Sequence, residues 1–320
     1  MLALNDESII RNQILPYLAP RINRLISDLP AEYFRGMEEI RLRHGQPLLM
    51  KIGDKDITID SRGKVCTALE QGCRIEKEDI YRTMASISDN SLYAHEEEIR
   101  RGFITLPGGH RVGLAGQVVM DGAQVGSIKS FSSIAFRVAR EVKDCARPLI
   151  PYICKHNMAE PVNTILISPP RCGKTTILRD IARILSHGRH REGGCNVAII
   201  DERSELAGCY QGIPQLDVGP RTDVLDACPK ALGMIMAVRS LSPQVVITDE
   251  IGRREDSDAI RECLNAGVAV ITSIHAGNTQ ELLKKPSFQE LLDAGCFKLG
   301  IVLSRRQGPG SIEEIIRWDE

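Results

Sequence analysis

A phosphate-binding motif constrains the fold of this chain more than any other feature of its sequence. Residues 164–180 read TILISPPRCGKTTILRD, so an apolar strand, a tight loop and a helix follow one another. The N–H groups of such a loop wrap an anionic phosphate, Lys174 adds a charge toward the β- and γ-phosphates, and the Thr175 hydroxyl can bind Mg²⁺. The segment therefore predicts a Walker A site for ATP and Mg²⁺. Its predicted cradle comprises Ser168, Pro169, Pro170, Arg171, Cys172, Gly173, Lys174, Thr175 and Thr176.

The motif departs from its strict form at two positions. Ser168 stands where the first glycine is usual, and Arg171 stands where another glycine is frequent. Gly173 is retained, and it lets the backbone approach a phosphate closely. Neither departure affects a side chain that touches phosphate or magnesium, so hydrolysis is still expected. The alternative is a chance succession of strand, loop and helix with a surface lysine.

A second motif, VVITDE at residues 245–250, resembles a Walker B strand. Its apolar residues predict a buried strand whose carboxyl end presents Asp249 and Glu250 beside the phosphate loop. Asp249 is expected to hold Mg²⁺ through water, and Glu250 to orient or deprotonate the attacking water. The alternative is an acidic strand end that caps a helix.

The C-terminal half alternates apolar strands with helices. Strands without polar alternation are buried on both faces, which favours an α/β domain with a mainly parallel sheet covered by helices. Strands are predicted at 164–168, 196–201, 244–249, 268–274 and 301–304, with a last hairpin to 313–318. Helices are predicted through 179–185, 231–240 and 258–267.

The N-terminal half has a different pattern, which predicts a smaller α+β domain. Helical periodicity near the start leads into a strand pair, and helix formers dominate residues 77–102. Short alternating runs with Pro-Gly-Gly and Asp-Gly turns then predict an antiparallel hairpin sheet. We place the boundary near residue 146, giving domains 1–146 and 147–320.

The composition excludes several classes of protein. Lys and Arg number 41 against 42 Asp and Glu, a net charge of -1, so nucleic acid is not expected as a partner. No apolar run reaches the roughly 18 residues of a membrane span, and the N-terminus lacks a signal-peptide pattern, so the chain is expected in the cytoplasm.

The ten cysteines form no CxxC pair and are expected to be reduced and mostly buried. His187, His190 and Cys195 are the nearest approach to a ligand cluster, but they lack a fourth partner. We therefore do not expect a metal there.

Several segments together resemble the ATPases of type II and type IV secretion systems. They include GFITLPGGHRVGLAGQ, SPPRCGKTTILRD, IIDERSELAG, VVITDEIGR and ITSIHAGN, in that order through most of the chain. The resemblance implies a RecA-like P-loop core behind a smaller N-terminal domain. It also implies a ring, expected to be a hexamer, at the cytoplasmic base of a membrane-spanning channel.

Two details favour a sporulation branch of that family. Asp249 precedes Glu250 where many type II motors have glycine, and their zinc-binding tetracysteine insertion is absent. In that branch the channel would join mother cell and forespore, with the ATPase on the mother-cell side. Attachment to the inner membrane is expected through partner proteins, because no amphipathic basic helix calls for lipid contact.

The resemblance also implies roles for residues outside the two nucleotide motifs. Asp201, Glu202 and Glu205 match an acidic box whose carboxylates help to place magnesium or the attacking water. The alternative for Glu202 and Glu205 is capping of the next helix. His275 matches a histidine box, where it would hydrogen-bond the γ-phosphate or relay its presence to a neighbouring subunit. The alternative is a structural hydrogen-bond donor.

Hydrolysis in rings generally needs a positive charge from a neighbouring domain or subunit. By resemblance the candidates are Arg221 and Arg239 in the core, and Arg111, Arg137 and Arg140 in the N-terminal domain. Alternation in a regular strand would put Arg137 and Arg140 on opposite faces. Any one of them can instead be a solvated surface residue.

Two other functions compete with a secretion-type motor. A nucleic-acid-directed ATPase shares both nucleotide motifs but should show a basic face, which the near-zero net charge disfavours. A nucleotide-binding scaffold that has lost hydrolysis is disfavoured because Lys174, Thr175, Asp249 and Glu250 are all present.

Overall fold

A computed structural model describes residues 6–155, 160–188 and 193–318. The chain divides into two compact units between Arg140 and Glu141, six residues before the boundary expected from the sequence.

The first unit combines short helices with an antiparallel sheet. Its helices are α1 (Asp6–Gln13), α2 (Pro20–Ser27), α3 (Lys77–Ile87) and α4 (Glu96–Arg100). Its strands are β1 (Met37–Arg43), β2 (Leu49–Ile52), β3 (Lys55–Ile59), β4 (Val65–Cys66), β5 (Phe103–Leu106), β6 (His110–Asp121) and β7 (Gln124–Arg137). The sheet order is β4-β3-β2-β1-β7-β6-β5, and all of these neighbours pair antiparallel.

Alternating side chains form the core of the first unit. In β1, Ile40 and Leu42 are fully buried, and their partners in β7 are Phe136 and Ile134. All four belong to one apolar cluster with residues of α1 and α2. The alternate residues of β1, Glu39, Arg41 and Arg43, lie outside this cluster, as the period of two requires.

The second unit is built around another seven-stranded sheet. Its helices are α5 (Ile150–Ile153), α6 (Lys174–His187), α7 (Lys230–Ser240), α8 (Arg254–Asn265), α9 (Thr279–Leu283) and α10 (Pro286–Asp293). Its strands are β8 (Cys154–Lys155), β9 (Glu160–Pro161), β10 (Thr164–Ser168), β11 (Val197–Asp201), β12 (Thr222–Asp226), β13 (Val245–Thr248), β14 (Ala269–His275), β15 (Leu299–Ser304) and β16 (Ser311–Arg317).

The large sheet has the order β12-β11-β13-β14-β10-β15-β16. Its strands pair parallel except for the terminal β15–β16 hairpin. Apolar side chains from both faces enter separate clusters, with Leu166 in one and Ile165 and Ile167 in the other. This arrangement, in which helices cover both faces of the sheet, is of the α/β class.

The strand order corrects one expectation. The strand that ends in Asp249 and Glu250 does not lie directly beside the phosphate-loop strand, because β14 lies between β13 and β10. The end of β14, at His275, is therefore the nearest strand end to both motifs.

Among the described residues, no helix has the length and apolar character that crossing a bilayer requires.

Candidate functional site

The phosphate loop joins the buried end of β10 to the first turn of α6. Gly173 precedes the helix with a φ of 84°, a conformation that glycine adopts without strain. Lys174 is the first helical residue and is 9% exposed. Its ammonium Nζ donates to the carbonyls of Ser168 (2.9 Å) and Pro169 (3.1 Å), so the lysine is folded back along its own loop. Thr175 lies half-buried in the same first turn.

A chain of hydrogen bonds connects the lysine to the two other motifs. Lys174 Nζ lies 3.0 Å from Nδ1 of His275, whose Nε2 contacts a carboxylate oxygen of Glu250. An ammonium can only donate, so Nδ1 accepts and the ring hydrogen is on Nε2, which donates to Glu250. The adjacent ends of β10, β14 and β13 thus place Lys174, His275 and Glu250 side by side in that order across the sheet.

The electrostatics agree with this assignment of protons. Burial lowers the pKa of Lys174 to about 8. Burial, followed by the charge of Lys174, lowers the pKa of His275 below its usual range, which keeps the imidazole neutral at physiological pH.

The backbone of Glu250 is fixed by its neighbour strand. Its N–H donates to the Ser273 hydroxyl at 3.1 Å, and the Ile251 N–H donates to the Ser273 carbonyl at 2.9 Å. The carboxylate is 35% exposed, so its backbone is anchored while its side chain reaches solvent.

Asp249 meets a lysine that the sequence analysis did not single out. Lys230, the first residue of α7, donates to Glu202 at 2.6 Å and lies 3.5 Å from Oδ1 of Asp249. Burial raises the pKa of Asp249, and the charge of Lys230 opposes that shift. Burial acts to raise the pKa of Glu202 as well, but the bond from Lys230 lowers it on balance.

Asp249 fits a magnesium ligand on the evidence of its own surroundings. Its Oδ1 is buried and makes no hydrogen bond within the part of the chain that the structure describes. A buried carboxylate oxygen without a donor is costly unless a cation satisfies it, and Mg²⁺ prefers oxygen ligands of this type.

Asp201 corrects the expectation drawn from the acidic box. It is fully buried, and its two oxygens accept the N–H groups of Glu205 and Ala207, both at 2.9 Å. Burial raises its pKa to about 6 against these bonds. Asp201 therefore anchors the loop that presents Glu202 and Glu205. The Glu205 carbonyl in turn accepts a bond from Arg179.

Some of these groups open onto a cleft of about 620 Å³ at the carboxyl edge of the large sheet, whereas Lys174, Asp201 and Asp249 are not among its lining residues. Glu202, Lys230, Glu250 and His275 line it. Lys285 also lines it, and its ammonium donates to the His275 carbonyl. The cleft is therefore rich in both signs of charge.

The loops at this edge share an unusual backbone feature. Each of four successive parallel strands is followed by a non-glycine residue in the left-handed region: Arg171 (φ 61°), Ser204 (φ 53°), Ala227 (φ 54°) and Glu250 (φ 31°). Such residues cost on the order of 1–3 kcal/mol each and concentrate at functional sites. The positive φ of Arg171 explains why glycine is frequent at that position of the motif.

The two core arginines lie away from this cleft in their own chain. Arg221 is bonded to Ser186 in the last turn of α6, about 18 Å along the helix from Lys174. Arg239 is exposed in the last turn of α7, about 13 Å from Lys230 at the first. Both lie toward the amino edge of the strands, away from the phosphate loop of their own chain.

The three arginines of the first unit have distinct environments. Arg140 lies beyond the end of β7, so strand alternation does not govern it; it donates to the Met37 carbonyl at 2.8 Å and lies 3.4 Å from Asp6. Arg111 stacks 3.6 Å above the Phe103 ring. Arg137, the last residue of β7, is exposed.

No group of three or more potential metal-binding side chains occurs among the described residues. His187 donates to the Arg183 carbonyl at 2.9 Å, and Cys195 is buried in the core. His190 lies outside the described residues.

Two functional candidates escaped the sequence analysis, Lys230 and Lys285. The signal for Lys230 is its position, because a cation at a helix N-terminus opposes the helix dipole and needs a compensating anion. Nothing in the local sequence distinguishes Lys285 from a solvated lysine.

Comparison with known proteins identifies the family. The family model described as sporulation stage III, protein AA, matches residues 9–319. The chain belongs to this family. The stage III sporulation protein AA of Bacillus subtilis (strain 168) is 40% identical over 308 residues, which cover 96% of this chain and 95% of that protein.

Two solved structures share the fold. The Legionella pneumophila ATPase DotB superposes with a TM-score of 0.55 at 12% identity, covering 88% of this chain and 75% of that one. The pilus retraction motor PilT with bound ADP gives a TM-score of 0.55 at 14% identity, covering 95% and 83%. The resemblance to secretion ATPases is thereby confirmed at the level of fold.

Proposed function

We propose that this member of the sporulation stage III protein AA family is a Mg²⁺-dependent ATPase with a RecA-like core. The observation that supports it most is the hydrogen-bonded chain from Lys174 through His275 to Glu250. It joins the residue that would contact the γ-phosphate to the one that would orient water.

The phosphate loop would bind the nucleotide. Pro169 and Pro170 have no N–H group, so the backbone donors would come from the other residues of 168–176. Lys174 would exchange its bonds to the loop carbonyls for bonds to phosphate oxygens. Thr175 and Asp249 would hold Mg²⁺, which supplies charge neutralisation for the transferring phosphoryl group when bound. Glu202 and Glu205 lie on the loop that Asp201 anchors. Glu202 would help Asp249 to hold the cation, and Glu205 would help to order water.

Glu250 would orient and deprotonate the attacking water. Its backbone is anchored through Ser273, and His275 donates to its carboxylate. Once Lys174 turns to phosphate, Nδ1 of His275 loses its donor. The ring can then report the presence of the γ-phosphate to Glu250, as the histidine box implies.

The arginine supplied to the γ-phosphate would come from elsewhere in a ring. Arg137 is the best candidate in the first unit because it is exposed at a strand end, whereas Arg140 is engaged within that unit. Arg221 and Arg239 remain candidates only from a neighbouring copy.

The family and the shared fold suggest the biological setting. We propose a homo-oligomeric ring, expected to be hexameric, that is cytoplasmic and held at the inner membrane on the mother-cell side by partner proteins. ATP hydrolysis would energise or assemble a channel between mother cell and forespore. The N-terminal domain would serve ring assembly and closure over nucleotide.

Steady-state ATP hydrolysis by the purified chain tests this function. Lys174→Ala should abolish nucleotide binding and turnover, while Glu250→Gln should retain ATP and lose turnover by about 10² or more. Lys298→Ala, an exposed lysine of the same unit, serves as the matched control.

Two outcomes would contradict the proposal. Turnover by Glu250→Gln equal to that of the unchanged chain would remove the role of Glu250. Turnover stimulated by DNA, without ATP-promoted hexamers, would favour a nucleic-acid-directed ATPase instead.

A further inference from the structure

Lys230 occupies a position that is unfavourable for a lysine by itself. It is 7% exposed and is the first residue of α7. Its charge is therefore largely removed from water and also lies at the positive end of a helix dipole. Something nearby must stabilise the ammonium.

Two carboxylates from neighbouring strands provide that stabilisation. Glu202 follows β11 and accepts from Lys230 at 2.6 Å, and Asp249 follows β13 with Oδ1 3.5 Å away. Because β11 and β13 are adjacent, one ammonium spans the ends of both strands. The contact to Asp249 is too long to satisfy its buried oxygen, which makes no hydrogen bond within the described residues.

We propose that Lys230 is a positioning residue, an internal counter-ion of the carboxylates that bind the divalent cation, and that it sets the cation concentration the site requires. The inference rests on the proposed ATPase function, because it concerns the same site. Lys230 holds the carboxylates of Glu202 and Asp249 close together, and it competes with the divalent cation for them.

Repulsion between like charges gives the direction of the effect. A lysine charge a few ångströms from a bound divalent cation opposes its binding, even when solvent weakens the interaction. Replacement of Lys230 by methionine keeps most of the side-chain volume and removes the charge. The carboxylate pair is then left without its counter-ion, so it should bind a divalent cation more tightly.

The experiment is a Mg²⁺ titration at a fixed concentration of a fluorescent ADP analogue. Lys230→Met should lower the half-saturating Mg²⁺ concentration by about tenfold, equivalent to about 1.4 kcal/mol. Its ADP affinity in EDTA should be unchanged or weaker. Lys298→Met makes the same charge change at an exposed position of the same unit and should leave the titration unchanged.

A second readout uses neither nucleotide nor turnover. Adding Mn²⁺ alone should raise the Tm of Lys230→Met by more than it raises the Tm of the unchanged chain, because the cation replaces the missing charge. A purely structural ion pair predicts a loss of Tm that Mn²⁺ does not reverse. That result, or an unchanged or higher Mg²⁺ requirement, would overturn the inference.

Glu202→Gln covers the case in which Lys230→Met does not fold. It keeps the lysine and removes its closest carboxylate, so the half-saturating Mg²⁺ concentration should rise. An unchanged value would overturn the inference. If the unchanged chain binds no nucleotide with Mg²⁺, the ATPase proposal fails, while the Mn²⁺ thermal shifts still decide the role of Lys230.

Discussion

Two histidines, one in each unit, have the same hydrogen-bonding pattern, in which Nδ1 accepts and Nε2 donates, but their partners differ. In the first unit, Nδ1 of His110 accepts from the Ala139 N–H at 3.0 Å, and its other ring nitrogen lies 2.8 Å from the Gln13 amide oxygen. In the second, Nδ1 of His275 accepts from Lys174, and Nε2 donates to Glu250. Both rings are neutral and have the same tautomer.

The two histidines differ in the charge of their hydrogen-bond partners, and this difference distinguishes a structural histidine from a candidate catalytic one. His110 is 1% exposed between uncharged groups that have no reason to move. The side chain of His275 is 37% exposed between an ammonium and a carboxylate, each of which has a second use when nucleotide arrives. The sheets explain this difference: parallel strands bring their carboxyl ends to one edge, whereas antiparallel strands alternate between two.

The largest expected effect concerns His275. His275→Ala removes the donor that aims Glu250, and small errors of placement can cost about 10² in rate. We therefore expect kcat to fall about a hundredfold, with KM within a few-fold. His275→Gln offers an amide acceptor and donor and should recover part of the loss. Turnover of His275→Ala at the level of the unchanged chain would mean that its bonds are structural, like those of His110.

The corresponding prediction for His110 is about stability. Burial lowers its pKa to about 4 from a usual value near 6.5, so the unfolded chain binds the proton more readily. The stability contribution of the neutral ring is complete above pH 6.5 and is lost as pH falls toward 4, by about 2 kcal/mol at pH 5.

Urea unfolding of the full chain at pH values between 7.5 and 5, followed through the transition of the first unit, measures this loss of unfolding free energy. His110→Gln should be less stable at pH 7.5 but should have a flatter pH dependence, with turnover at pH 7.5 little changed. An equally steep pH dependence in His110→Gln would assign the titration to other groups.

The smallest expected effect is a gain in stability when a residue with positive φ in a loop of the second unit is replaced by glycine. Arg171→Gly should stabilise the folded chain by about 1 kcal/mol, because glycine accepts a φ of 61° without a Cβ clash. Ser242→Gly, at a φ of 47° outside the cleft, should give a similar gain in Tm. A Tm that falls in Arg171→Gly while rising in Ser242→Gly would show that the arginine side chain itself stabilises the loop.

The sequence predicted the buried elements better than the exposed ones. Unbroken apolar runs identified β10, β11, β13 and β14, because strands covered on both faces leave no other pattern. The edge strand β12, at Thr222–Asp226, was not predicted because three of its five residues are polar. The order of strands, with β14 between the two nucleotide motifs, is a property of the whole fold and has no local signal.

The residues of the candidate site also differ in whether the sequence could predict them. Lys174, Glu250 and His275 follow apolar strands in recognisable motifs, and the structure brings them into contact. Lys230 pairs with a residue 28 positions earlier, and no periodicity links the two. Asp201 was expected to act on magnesium or water because the sequence does not reveal that both of its oxygens bind backbone N–H groups.

The folded-back lysine of the phosphate loop has a consequence for the thermodynamics of nucleotide binding. Lys174 has already lost most of its water to the carbonyls of Ser168 and Pro169 and to His275. Phosphate therefore replaces protein acceptors and not a hydration shell. The Lys174 ammonium is already desolvated in the folded chain, and most of the side-chain entropy of this lysine has already been lost on folding. Nucleotide binding should therefore require Lys174 to change its hydrogen-bond partners but should add little further desolvation of its ammonium.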